Sequence, residues 1–231
     1  TTAFDMQAGT ASANLAGAVG LDKTTAGTTT LSGTNTYTGT TTVSAGNLNL
    51  NSAGTAIAGN LTVAGGTATL QAADQIADGK NVVVTSGTLD VASFNDTVNG
   101  VQITGGTITG TTGALTSTTA FDLQAGTVSA ILGGTAGANK TTAGTVTLSK
   151  TNTYTGATTV SAGTLTLGHA TNTLADASTV VVSGGTLDLG GNADTVAGVQ
   201  QTGGTIQNGT LTSTTAFDMQ AGTASANLAG A

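Results

Sequence analysis

LTVAGGTATL at residues 61–70 and NVVVTSGTLDV at residues 81–91 share one plan, in which apolar residues alternate on each side of a glycine. Leu61 and Val63 stand five and three residues before Gly66, and Ala68 and Leu70 stand two and four after it. Val82, Val84, Leu89 and Val91 are placed in the same way around Gly87. Alternation with period two marks strands with one buried face. Each stretch therefore reads as two short strands that meet at a glycine corner and point like side chains inward. Leu48 and Leu50, Val146 and Leu148, Leu165 and Leu167, and Leu187 and Leu189 follow such corners, while Val101 and Ile103, Phe121 and Leu123, and Val180 and Val182 precede them. A third apolar group follows about ten residues on, at Tyr37, Ile57, Ile76, Val98, Tyr154, Leu174 and Val196.

The landmark glycine falls at Gly9, Gly27, Gly46, Gly66, Gly87, Gly106, Gly126, Gly144, Gly163, Gly185, Gly204 and Gly222, a spacing of about 19 residues. Three short strands per period describe one rung of an all-β parallel β-helix, or β-solenoid. Equivalent residues of successive rungs would then stack about 4.8 Å apart in columns. The absence of Pro fits, because nearly every strand has neighbours that need its N–H. Glycine supplies corner angles that residues with a Cβ avoid. One rung buries too little apolar surface to offset the ordering of its backbone, so stability must belong to the stack. A β-sandwich does not require such a period. A propeller repeats at about forty residues with aromatic signatures, whereas aromatics are 3% here and Trp is absent.

A larger repeat overlies the small one. TTAFDMQAGTASANLAGA at residues 1–18 returns letter for letter at residues 214–231, with the variant TTAFDLQAGTVSAILGGT at residues 118–135. The chain thus reads as one continuous solenoid over 1–231. Residues 1–117 form six rungs, 118–213 form five, and 214–231 begin the next repeat. The expected partners are further turns of the same kind, continuing the chain or joined end to end into a fibre.

Composition narrows the function. The chain has eleven Asp, no Glu, four Lys, no Arg and no Cys, for a net charge of −7. Nucleic-acid binding relies on clustered Lys and Arg, so no nucleic-acid partner is expected. A disulfide framework and a thiolate metal site are excluded. No apolar run reaches the ~18 residues of a membrane helix, so no membrane span is expected in this stretch.

Chemistry-bearing residues are few. His169, the single histidine, cannot build a triad or a histidine metal cluster alone. Asp5, Asp122 and Asp218 recur in FDxQAG, and Asp90 and Asp188 share one outward position. As copies of a structural repeat they read as solvated surface rather than as the paired carboxylates of a glycosidase. Asp74, Asp78, Asp90 and Asp96 are the acids that stacking would group, but a calcium-binding nonapeptide pattern is missing. No enzyme activity and no cofactor is expected. The candidate ligand face is the outward column one and three residues after the corner: Thr28 and Thr30, Thr67 and Thr69, Thr107 and Thr109, Thr145 and Thr147, Thr164 and Thr166. Such T-x-T ladders resemble ice-binding solenoid faces, and they equally suit strands whose hydroxyls pair across rungs.

LSGTNTYTGTTTVSAGNLNL at residues 31–50 and LSKTNTYTGATTVSAGTLTL at residues 148–167 resemble the passenger-associated transport repeat, or autotransporter-associated β-strand repeat, of large secreted bacterial proteins. Lys150 replaces Gly33 between these copies, and Asn47 stands where the second copy has Thr164. The resemblance implies a secreted β-helix at the bacterial surface, acting as a rigid stalk, fibre or adhesin, with cell-surface or matrix glycans as possible partners. The alternative is a module that binds ice or glycan along its Thr ladders.

Overall fold

The computed structural model describes residues 2–230. The chain forms two compact units, Thr1–Thr116 and Ser117–Ala231. Their boundary lies beside the end of the first large repeat.

In the first unit one parallel sheet is built from Phe4–Asp5, Leu21–Lys23, Thr41–Val43, Leu61–Val63, Asn81–Val84 and Gly100–Ile103, neighbours in that order. A second parallel sheet takes Gly9–Ala11, Thr28–Leu31, Asn47–Leu50, Thr67–Leu70, Thr88–Asp90 and the start of Thr107–Ser117. The second unit repeats this with Phe121–Leu123, Ala138–Lys140, Thr158–Val160, Thr179–Val182, Gly198–Gln201 and Asp218–Met219 in one sheet. Gly126–Gly133, Thr145–Leu148, Thr164–Leu167, Thr186–Val196, Thr205–Ser213 and Thr223–Ala224 form the other. Strands adjacent in a sheet are one turn apart in sequence, which makes each unit a parallel β-solenoid.

Register follows the apolar alternation. Leu31 faces Leu50 and Leu50 faces Leu70. Leu148 faces Leu167, while Val146, Leu165, Leu187 and Ile206 form a column beside them. Leu31, Leu50, Leu70, Leu148, Leu165 and Leu187 have no solvent exposure. The third side is less regular than the other two. Tyr37, Ile57, Ile76, Val98, Tyr154, Leu174 and Val196 are all buried there, yet Ile57 and Ile76 share only an isolated bridge, whereas Asp96–Val98 is a strand. Backbone bonds such as Asn35 N to Thr55 O at 2.9 Å and Ala56 N to Gln75 O at 2.9 Å join the turns.

Two departures from uniform stacking are instructive. The glycine column is only partly about backbone angle. Gly163 has φ of 62°, but Gly185 is not left-handed. A Cβ at Gly185 would lie 2.8 Å from Val160 Cγ1 and 2.9 Å from the carbonyl oxygen of Gly163, so the turn beneath leaves room only for hydrogen. The second departure is a slip of register. Gly126 faces Val146 and Gly9 faces Thr29, rather than the next landmark glycine. The slip coincides with the longer KTTAG corner, where Val146 stands six positions after inward Lys140, against five from Val160 to Leu165. A two-residue slip preserves the inward and outward faces.

Leu167 is buried against Leu148. Leu167→Ala should cost about 2–5 kcal/mol by loss of contacts and cavity formation, and Leu167→Asp should cost more by burying an unpaired charge. Chemical-denaturation midpoints followed by circular dichroism check this.

Candidate functional site: the threonine ladder and the polar corners

On the outer face of the second sheet, alternation turns every other side chain to solvent and register stacks these residues. In the first unit Thr28, Asn47, Thr67, Thr88 and Thr107 form one column, with Thr30, Asn49, Thr69, Asp90 and Thr109 beside it. In the second unit Thr145, Thr164, Thr186, Thr205 and Thr223 form an unbroken column. Thr147 and Thr166 begin its neighbour, which continues through Asp188 and Gln207. The structure therefore brings the candidate threonines together within each unit, all at least partly exposed. It adds Thr88, Thr186, Thr205 and Thr223, which the paired T-x-T criterion passed over.

The outward acids are engaged locally. Gln7 Nε2 donates to Asp5 Oδ2 at 3.1 Å, Gln124 Nε2 to Asp122 Oδ2 at 2.8 Å, and Gln220 Nε2 to Asp218 Oδ2 at 2.9 Å. This explains FDxQ, since residues two apart on a strand share a face. Asp188 Oδ1 accepts from Gly190 N at 2.8 Å, and its Oδ2 accepts from Gln207 at 3.0 Å and Asn208 at 3.3 Å. Partial burial pushes the Asp188 carboxyl up, but these hydrogen bonds outweigh it and hold the group below its ordinary value. Asp90 Oδ1 accepts from Ala92 N at 2.9 Å. His169 is half-buried, with Nδ1 2.6 Å from the Thr171 carbonyl and 3.4 Å from Thr151 Oγ1. Among the described residues no three His, Cys or Asp group so as to hold a metal ion. Of Asp74, Asp78, Asp90 and Asp96, the acids weighed for calcium, Asp96 is buried in the core.

The interior holds polar groups that the apolar pattern did not reveal. Lys23 and Lys140 are fully buried. Lys23 Nζ donates to the Thr25 carbonyl, to Thr25 Oγ1 at 3.3 Å and to the Ala45 carbonyl at 3.4 Å. Lys140 Nζ does the same with the Thr142 carbonyl, Thr142 Oγ1 at 3.4 Å and the Ala162 carbonyl at 3.3 Å. Thr25 and Thr142 in turn donate to the carbonyls of Gln7 and Gln124, at 2.8 and 3.1 Å. Each KTTAG corner is thereby tied to its FDxQ turn. Burial lowers the Lys140 pKa, opposed by the charge of Asp122. Gln201, in the same column as Lys140, answers the corner carbonyls differently: its Nε2 reaches Gly204 O and Thr223 O, each at 3.1 Å.

A second inner column stands two residues before the third apolar group. Asn35 Oδ1 accepts from Leu15 N at 2.8 Å and Asn35 Nδ2 donates to Ala56 O at 2.7 Å. Asn152 repeats this with Leu132 N at 2.9 Å and Thr173 O at 2.8 Å. Asp96 and Asp194 hold the equivalent positions. Their signal in the sequence is phase: Lys23 is two residues after Leu21, and Asp96 two before Val98, so both share the period of the core. Nearby Tyr37 and Tyr154 close their hydroxyls on Thr41 and Thr158 at 2.5 and 2.8 Å. Burial raises the Tyr37 phenol to about 12, the Thr41 bond opposing it.

These features define a solenoid repeat protein whose polar interior serves the stacking of its turns. Three stretches, residues 21–50, 139–167 and 161–189, match the family model described as Passenger-associated-transport-repeat. The chain thus carries this repeat in both units. Neither a curated protein nor a solved structure matches the chain significantly.

Removal of the buried ammonium should be costly where nothing replaces its hydrogen bonds. Lys140→Met should lower stability by about 1–3 kcal/mol, the penalty for buried carbonyls left without donors. Lys140→Gln should recover part of the loss, as Gln201 does in its own turn. Thermal unfolding midpoints of the two variants check this.

Proposed function

We propose that this chain is a length of secreted, non-catalytic scaffold at the bacterial surface, a stalk or filament segment of an adhesin-like protein. The observation that carries this reading is the match of the passenger repeat to turns held in parallel register within each unit. Supporting it, the buried polar groups are turned to corner carbonyls and backbone amides, and the outward acids are occupied by neighbouring Gln, Asn and backbone groups. The proposed partners are further turns of the same kind, in the same chain or in a second copy.

A second reading keeps the outer face as a binding surface. The unbroken column from Thr145 to Thr223 favours it, and the break at Asp188 and Gln207 in the adjoining column favours glycan over ice.

Negative-stain imaging of the exported full-length protein should show thin filaments, and compact globules would contradict the scaffold reading. Thr164→Lys should leave the filaments and the thermal midpoint unchanged. Loss of glycan-array signal or of thermal hysteresis on that substitution would select the binding reading instead.

A further inference from the structure

Asp96 and Asp194 occupy one structural position in the two units, in the matching segments DTVNGVQITGGTI at residues 96–108 and DTVAGVQQTGGTI at residues 194–206. They are 1% and 2% exposed. Asp96 Oδ2 accepts from Gln75 N at 2.8 Å and Ile76 N at 3.0 Å, and Asp194 Oδ2 accepts from Leu174 N at 3.1 Å. The other oxygen, Oδ1 in both, is buried without a hydrogen-bond partner. The corresponding Asn35 and Asn152 use that second atom as a donor to the following turn. A carboxylate has no hydrogen to offer there, whereas a carboxylic acid has one and carries no charge into the core.

We propose that Asp96 and Asp194 are proton-operated latches, one in each large repeat. Each holds its turn to the neighbouring turn as a neutral acid and loosens that contact when the proton passes to solvent. Among the described residues no basic group acts on either carboxyl to compensate the charge. Asp74 and Asp78 act on Asp96, Asp176 acts on Asp194, and all three are acids. Tyr154, whose phenol the Asp194 charge raises further, lies two turns away, beyond the turn of Leu174.

The pH dependence follows from the same geometry. Burial lifts Asp96 to about 7 against the hydrogen bonds from Ile76 and Gln75, and lifts Asp194 to about 6 against those from Leu174 and its neighbours. Both therefore bind a proton more tightly folded than unfolded, where the ordinary value is 3.8. The stabilisation is complete below about pH 4 and is lost as pH rises through about 6 and 7. Asp188 and Asp218, held low by hydrogen bonds, have the opposite sign at a more acidic range. A window of pH 5 to 8 separates the two sets.

The test is the thermal midpoint of the wild-type chain and of Asp96→Asn, Asp194→Asn and the double variant across pH 5 to 8, with exchange protection of the Ile76 and Leu174 amides. The wild-type midpoint should fall by at least about 5 °C across the window, with protection of both amides falling alongside it. The double variant should be flat and, at pH 8, more stable than wild type. A flat wild-type profile, or an unchanged slope in the double variant, would overturn the proposal. Recovery of the wild-type midpoint at pH 8 by 1 mM calcium, reversed by chelation, would also overturn it, by assigning the oxygens to a cation instead of a proton.

Discussion

Among the described residues every strand is hydrogen-bonded to a strand one turn away, so the ladder bonds of each turn are made with its neighbours. That constraint explains the rest. Because partners are supplied only by the turns before and after, N–H groups must be available on both edges, and Pro is absent throughout. Columns of Leu, Val and Ile repeat because a side chain at one inward position has the same position of the next turn as its floor. Glycine recurs because at sites such as Gly185 the backbone beneath comes too close for a Cβ.

The polar interior obeys the same constraint. Long or forked donors reach carbonyls of the neighbouring turn: the ammonium of Lys23 and Lys140, the amide of Gln201, and the amides of Asn35 and Asn152. A buried, singly placed polar group fixes which turns are neighbours more sharply than an apolar column does, because a mismatched turn leaves an unpaired donor. The Lys–Thr–Gln link ties KTTAG to FDxQ in both units, at the place where the register slips by two. The same device that stabilises the stack therefore also orders it.

Most of the architecture was legible because the period-2 alternation and the recurring glycine report directly on inward faces and corners. Leu50 and Leu70 were assigned to adjacent layers from spacing alone, and they face each other. The register slip was not legible, since it depends on how many residues a corner needs to accommodate an inward lysine. The inward placement of Lys23, Asp96 and Asp194 was overlooked for a chemical reason. A charge is expected outside, and only the phase of neighbouring Leu21, Val98 and Val196 indicates otherwise. The outward threonines were legible as columns, but their use is a matter of ligand chemistry that strand geometry does not specify.

Because the chain has no cysteine, register can be read chemically. Asn49 and Thr69 face each other on adjacent turns, whereas Asn47 faces Thr67 and lies two residues out of step with Thr69. Disulfides form across Cα separations of roughly 4.4–6.8 Å, a range that an in-register neighbour meets. The chain carrying Asn49→Cys and Thr69→Cys should oxidise readily to a cross-linked form, and the chain carrying Asn47→Cys and Thr69→Cys should not. Equal cross-linking of both pairs, or of the offset pair alone, would contradict the in-register stack on which this account rests.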